Sequence, residues 1–465
     1  MNATNVLHML GRFFGLFSIP SLMCAVWAFS NDRYQQASLF ILVVTVSAVL
    51  GAVFLVSSNS KNLHKAGLKE IVAFLTAVWG GMSVLGALPF LMLTQSDPIS
   101  ALLESVSCLT TTGTSLVPTD TVLPASIIAW RGILHITGAM LAISGTLLLV
   151  ATQSSVGQGL RRLQAIGIWT RLNFASFMKI FLISGAVLLA LFLLCFNTLL
   201  FEGLPLRDAF ALAVGAITTG QVFPYDASIL NGTMFSGTVI CVTLFFASIN
   251  LANILMLIRA PQRARIDIET IGILAGMLLL FVLIYAAHPQ LGSLASAVQA
   301  FSIVSTSGLL LSPDDAHLLG WPVIIFFGFV GGATASSTGG MKFFRFRLLA
   351  ARALHEFSRL AQPKAIQNFR FSGMRNPVEA MLSVWVYLIG FACVTVMIAG
   401  YLALTGMSFE ASISTAVGAI TNSAALFHVE NMNLTPNPVT KLILTFSMLF
   451  GRLELLLLFS LIIRN

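Results

Sequence analysis

Glu104-Ser105-Val106-Ser107-Cys108-Leu109-Thr110-Thr111-Thr112-Gly113-Thr114-Ser115-Leu116 is the stretch whose reading decides the fold. Threonines beside a glycine make an ordinary turn, and one copy would mean no more than that. This one recurs. Ile217-Thr218-Thr219-Gly220 follows, then Val304-Ser305-Thr306-Ser307-Gly308, and a fourth, altered copy reads Ile420-Thr421-Asn422-Ser423-Ala424. Each copy stands between two long apolar segments, which is the pattern of a pore lined by four re-entrant loops.

Composition sets the solvent. The chain is 57% hydrophobic and 9% charged over 465 residues, where a soluble domain carries about 25% charged residues. It is an integral membrane protein, with the lipid bilayer as its surroundings. The net charge of +8 is then a matter of which membrane face holds Lys and Arg, not of a nucleic-acid partner. Five cysteines (Cys24, Cys108, Cys195, Cys241, Cys393) lie scattered in apolar segments and read as packing residues. The seven histidines form no HExxH-like set and no nucleophile–base pair is evident, so no enzyme and no cofactor are expected. The apolar run 13–29 after Arg12 resembles a signal peptide, but a second span follows at once, so an uncleaved first helix is expected.

Taken in order, segments near 12–30 and 37–57 form a first pair of spans. A theme then repeats four times: long apolar helix, short half-length helix, Thr/Ser-Gly loop, second long helix. The spans fall at 68–93 and 124–152, 174–201 and 228–258, 268–287 and 320–349, and 378–405 and 438–463. The short helices fall at 97–109, 205–217, 290–304 and 408–420, the first with Asp97-Pro98 as N-cap and first position. The expected fold is all-α integral membrane: ten transmembrane helices with four re-entrant pore loops, as four M1–P–M2 repeats around a central pore plus the N-terminal pair. Boundaries are 1–66 for the pair, then 67–153, 154–262, 263–374 and 375–465 for the repeats.

With the N-terminus inside, one face receives nearly all Lys and Arg; only Arg33, Arg131, Arg207 and Lys441 fall opposite. All four loops are then outside, among Asp97, Glu104, Asp120, Glu202, Asp208, Asp226, Asp314, Asp315, Glu410 and Glu430. Singly these read as solvated carboxylates; together they make an acidic mouth that concentrates cations. Backbone at membrane depth must bond internally or line a wet cavity. Carbonyls left unpaired in four loops can replace the hydration shell of K⁺. Glycine lets successive carbonyls turn inward, and each short helix aims its negative C-terminal end at the pore. The candidate ion-binding filter is Thr111, Thr112, Gly113; Thr218, Thr219, Gly220; Thr306, Ser307, Gly308; and Asn422, Ser423, Ala424.

Four features together resemble the TrkH members of the Trk/Ktr/HKT potassium-uptake superfamily. They are the Thr-Thr-Thr-Gly-Thr loop after Glu104-Ser105, the run Tyr225-Asp226-Ala227-Ser228-Ile229, the run Gly331-Gly332-Ala333-Thr334-Ala335-Ser336-Ser337-Thr338-Gly339-Gly340-Met341-Lys342, and Gly451-Arg452-Leu453-Glu454-Leu455. The resemblance covers nearly the whole chain. It implies K⁺ uptake through a gated four-repeat pore, a homodimer, a bacterial inner-membrane location with the N-terminus cytoplasmic, and a cytoplasmic TrkA-type nucleotide-binding subunit; nucleotide is expected only on that partner. Channel flow and symport with H⁺ or Na⁺ both stay open.

The expected gate is Gly331, Gly332, Ser336, Ser337, Thr338, Gly339, Gly340 and Lys342, with Arg452. Glycines interrupting an apolar span at 331–342 make either a kink or a mobile loop beneath the filter. Without Gly-Lys-Ser/Thr or a preceding strand the run is no phosphate loop. Arg452, inside the last span, either pairs with polar groups between helices or sets a barrier in the pore. The basic linker 342–375 suits anionic lipid or the regulatory subunit. The fourth loop departs from the family pattern: Ala424 stands where a glycine is expected, at the cost of strain or a reshaped loop. Gln221 and Leu309-Leu310-Leu311 are further departures. A Na⁺-preferring or Na⁺/K⁺ non-selective transporter, and a non-conducting regulatory homologue, are the alternatives.

Overall fold

The structure, a computed structural model, describes residues 3–58, 68–94, 96–116, 123–150, 174–223, 234–263, 266–309, 320–362, 369, 371, 377–428 and 437–453. The Tyr225–Ile229 motif, Glu454, and Asp120, Asp226, Asp314, Asp315 and Glu430 of the expected acidic mouth lie outside the described residues. Among the described residues there are sixteen α-helices and no strand. Seven helices are long and apolar enough to cross a membrane, eight if one bent pair counts as a span.

The first two helices, α1 (Ala3–Ser30) and α2 (Tyr34–Ser57), pack backbone to backbone. A Cβ added at Gly11 would stand 2.8 Å from the Gly51 carbonyl oxygen, the close approach that small residues permit between helices in lipid. The pair is tied to the rest by rings. Phe13 meets Phe181 at 4.8 Å, and Trp130 lies 5.7 Å from Phe17 and 5.5 Å from Phe40. The Trp130 indole donates to Gly86 O at 3.0 Å, which satisfies its one polar atom.

The remaining helices repeat one order four times. The first set is α3 (Leu68–Leu93), short α4 (Pro98–Leu109) and α5 (Ala125–Val150). The second is α6 (Phe174–Phe201), short α7 (Leu206–Thr218), α8 (Met234–Ser248) and α9 (Leu251–Arg259). The third is α10 (Ile268–Ala287), short α11 (Gly292–Val304), α12 (Trp321–Val330) and α13 (Phe343–Ala361). The fourth is α14 (Pro377–Leu404), short α15 (Phe409–Thr421) and α16 (Pro438–Arg452). At 12 or 13 residues and about 1.5 Å per residue the short helices reach only partway through a bilayer. Their C-terminal halves are buried, so they form the centre of the molecule. Side-chain N-caps start two of them: Asp97 accepts from Ser100 N and Ser408 from Ala411 N.

Two expected spans differ. The second return segment is not one helix: α8 and α9 meet at 101°. Asn250 caps α9, accepting from Ala252 N at 2.9 Å, and the freed backbone pairs instead with the 331–342 run. Ala333 N donates to Ser248 O (2.9 Å) and Leu251 N to Ala335 O (3.2 Å). The third return segment breaks after Val330, as its glycines predict.

Candidate functional site

The four turns after α4, α7, α11 and α15 close into a ring. A Cβ on Gly113 would overlap the backbone of Gln221, and one on Gly220 the carbonyl of Thr111. Leu309 packs on Gly215, Gly308 on the backbone of Ala424 and Ala425. Asn422 Nδ2 donates to Thr112 Oγ1 at 3.1 Å. The cyclic order is therefore first, second, third, fourth, with the first turn facing the third and the second facing the fourth.

The register differs from the expected alignment on glycine. One residue in each turn is left-handed: Thr111 (φ 57°), Thr219 (φ 51°), Thr306 (φ 64°) and Asn422 (φ 53°). The next residue donates its N–H five residues back in every case: Thr112 to Ser107, Gly220 to Gly215, Ser307 to Ser302, Ser423 to Gly418. Gly220 thus corresponds to Thr112, not to Gly113. The glycine place is held by Gly113, Gln221, Gly308 and Ala424. Gly113 (φ 81°) and Gly308 (φ 62°) are left-handed there; Gln221 and Ala424 are not. Ala424 escapes the expected strain because its loop is reshaped, opening a 3-10 turn at Ala424–His428. Thr218 ends α7 as its last helical residue, its hydroxyl bonded to Val214 O, as Thr110 and Thr421 bond to Val106 and Val417.

The 331–342 run lies against the helix-end side of this ring and reaches all four turns. Ser337 Oγ donates to Ile217 O (3.3 Å) and Ala247 O (3.0 Å) and receives Thr219 Oγ1 at 3.4 Å. Gly339 N donates to Thr306 Oγ1 (2.8 Å) and Gly340 N to Thr421 O (2.8 Å). The first turn is reached through Arg452, whose NH2 donates to Thr111 Oγ1 and to Ser337 O (2.5 Å) and whose NH1 donates to Thr338 O (2.9 Å). Lys342 Nζ donates to the same Thr338 carbonyl at 2.6 Å. Gly339 must lack a Cβ, which would overlap the Thr421 carbonyl oxygen. Left-handed φ at Gly331, Ala335, Gly340 and Lys342, with Ser336 bonded to Ala333 O and Thr338 Oγ1, folds the run into a plug. Arg452 thus pairs with polar groups between helices, two of them carbonyls of the 331–342 run.

Two expected members of the acidic mouth have other work. Glu104 is 2% exposed and paired with Arg131, itself 1% exposed. Asp97 pairs with Lys441 at 3.1 Å. Residues the sequence reading left aside also converge here. Glu269 on α10 accepts from Thr334 N at 3.0 Å, anchoring the run. His135 is wholly buried beside Gly220, with neither ring nitrogen bonded to a described residue. A signal for Arg131 existed: an ionisable residue inside an apolar span is a site candidate by default.

Among the described residues, an all-helical chain with seven apolar spans around a ring of short-helix ends is a multi-span membrane protein. A family model described as TrkH, cation transport protein, matches residues 267–463. The Trk system potassium uptake protein TrkH of Vibrio parahaemolyticus is 28% identical over 98% of this chain and 97% of that one. The protein of the same name from Escherichia coli is 28% identical over 96% of this chain and 95% of that one. The crystal structure of the potassium transporter TrkH from Vibrio parahaemolyticus superposes with a TM-score of 0.83 at 23% identity, covering 99% of this chain and 98% of that one. Over nearly its whole length the chain is similar to TrkH proteins, which are transporters and not enzymes.

Proposed function

We propose that this protein takes up K⁺ through the centre of the four-turn ring, with the 331–342 run and Arg452 as its gate. The observation that carries this reading is the ring itself. Four short helices point their C-terminal, partially negative ends at one axis, and the turns that follow leave carbonyls for an ion. K⁺ sits at Thr111, Thr112 and Gly113, and at the corresponding residues Thr219, Gly220, Gln221; Thr306, Ser307, Gly308; Asn422, Ser423, Ala424. Backbone of this kind is tolerated in a membrane where it lines a wet path. The guanidinium of Arg452 at the ring's helix-end side opposes a cation until the run moves.

The rest of the reading follows from this similarity. The chain has ten spans and four re-entrant loops in the expected repeat divisions, its N-terminus in the cytoplasm of a bacterial cell. Two copies pair, and a TrkA-type regulatory subunit docks on the basic segment that begins with α13. There Arg345 lies 4.4 Å over the Tyr387 ring and Arg347 lies 4.8 Å over Phe371. A second reading has its own observation: two facing glycine places hold Gln221 and Ala424, which favours a Na⁺/K⁺ pathway of lower selectivity.

The test is expression in cells lacking K⁺ uptake, with and without a TrkA-type partner. Growth at limiting K⁺ together with Rb⁺ flux is the expected result. Na⁺ flux without rescue supports the second reading. Neither ion moving, with the chain abundant in the membrane, contradicts both and leaves a regulatory role.

A further inference from the structure

The ring is not held alike at its four seams. Behind the first and second turns, Arg131 on α5 donates through NH1 to Glu104 Oε2 and, at 3.4 Å, to Ser115 Oγ. Its Nε donates to the Val222 carbonyl at 2.6 Å. Glu104 Oε1 accepts from Ser115 Oγ (2.9 Å) and Leu116 N (2.6 Å). One buried ion pair thus fastens the backbone just past Gly113 to the backbone just past Gln221. The residues matching Glu104 on the other short helices are Leu212, Gln299 and Thr415, so no other short helix carries a charge there.

The placement matches a need. At the second turn the glycine place is Gln221, without left-handed φ, so the backbone does not aim the next carbonyl by its own geometry. Arg131 holds that carbonyl from behind. The other turn without a glycine in that place is also tethered by a side chain: Asn422 Nδ2 donates to Thr112 Oγ1 and to Met448 O at 3.0 Å. As a stabiliser alone a buried ion pair is a poor choice, because desolvating both charges offsets their attraction. As a positioning device it is apt, because a guanidinium fork fixes several directions at once.

We propose that the Arg131–Glu104 pair is a positioning device that sets the spacing between the first and second turns and thereby the ion discrimination of the ring. The proposal rests on the reading that the ring conducts. Its test compares wild type, Arg131→Lys, Glu104→Gln and Ser115→Ala, full-length, in proteoliposomes. The measurements are Rb⁺ and Na⁺ uptake and the amount of folded protein. The expected result is a fall in the Rb⁺:Na⁺ uptake ratio of about fivefold or more in the first two variants, the factor that one lost hydrogen bond gives. Ser115→Ala should shift the ratio less, in the same direction. An unchanged ratio at reduced protein amount makes the pair merely structural and overturns the proposal. If neither charged-residue variant folds, Ser115→Ala decides: a shifted ratio supports the device and an unshifted one overturns it. Wild type that passes neither ion contradicts the conducting ring and the device together, whereas wild type that passes Rb⁺ beside unshifted variants overturns the device alone.

Discussion

Gly113 and Gly308 face each other across the ring, and Gln221 and Ala424 fill the other diagonal. A ring of carbonyls built this way has two-fold rather than four-fold symmetry, with left-handed backbone on one diagonal only. The two diagonals respond differently to substitution. Gly113→Ala puts a side chain at φ 81° and into the Gln221 backbone, and is expected to lose about 1–3 kcal/mol together with Rb⁺ flux. Ala424→Gly relieves nothing and is expected to keep stability within about 1 kcal/mol. Denaturation in detergent beside flux assays checks both; equal losses would contradict the register. At this scale the motifs were legible and their alignment was not. Glycine is the conspicuous letter, but in the second turn it stands one place nearer the helix. The apolar residues before each turn, Leu109, Ile217, Val304 and Ile420, carry the true register, because they end the buried face of each short helix.

Among elements, the seam between α4 and α16 lends itself to measurement. Lys441 Nζ reaches Asp97 Oδ1 at 3.1 Å and Ser100 Oγ at 2.6 Å, joining the fourth repeat to the first. The Ser100 hydroxyl first, and then Lys441, hold the Asp97 carboxyl down at about 2 despite partial desolvation. A lowered carboxylate contributes its stability above its ordinary range, near pH 3.9, and loses it as pH falls through about 2. Asp97 is half exposed, so the effect is about 0–1 kcal/mol. Unfolding in detergent should show this contribution constant from neutral pH to about pH 4 and lost below it. In Asp97→Asn, which keeps the cap, that acid-side loss should be smaller; a loss identical to wild type would contradict the assignment. The order of elements was readable from hydropathy and half-length segments. The break at Asn250 was not. Ile249 and Leu251 flank it as in any apolar helix, and the groups that take up the freed backbone are distant in sequence: Ala333 N donates to Ser248 O, and Ala335 O accepts from Leu251 N.

For the whole molecule, the proposed pathway is blocked by the 331–342 run. The 331–342 run contacts the second, third and fourth turns directly and the first through Arg452, and two cationic side chains converge on the Thr338 carbonyl at the ring's helix-end side. The sequence named the run and Arg452 but could not join them, since their contact spans 114 residues. Glycines here serve close packing: Gly339 of the run and Gly451 of α16 both lie where a Cβ would strike the fourth turn. Opening then requires the run to leave the ring and Arg452 to lose its carbonyl partners. The most direct measurement is Rb⁺ uptake into proteoliposomes by wild type and Arg452→Ala without a regulatory subunit. Removing the guanidinium should raise uptake about tenfold, the effect of ~1.4 kcal/mol on a barrier. Uptake equal to wild type, from protein that is folded and correctly inserted, would contradict a cation path closed by Arg452.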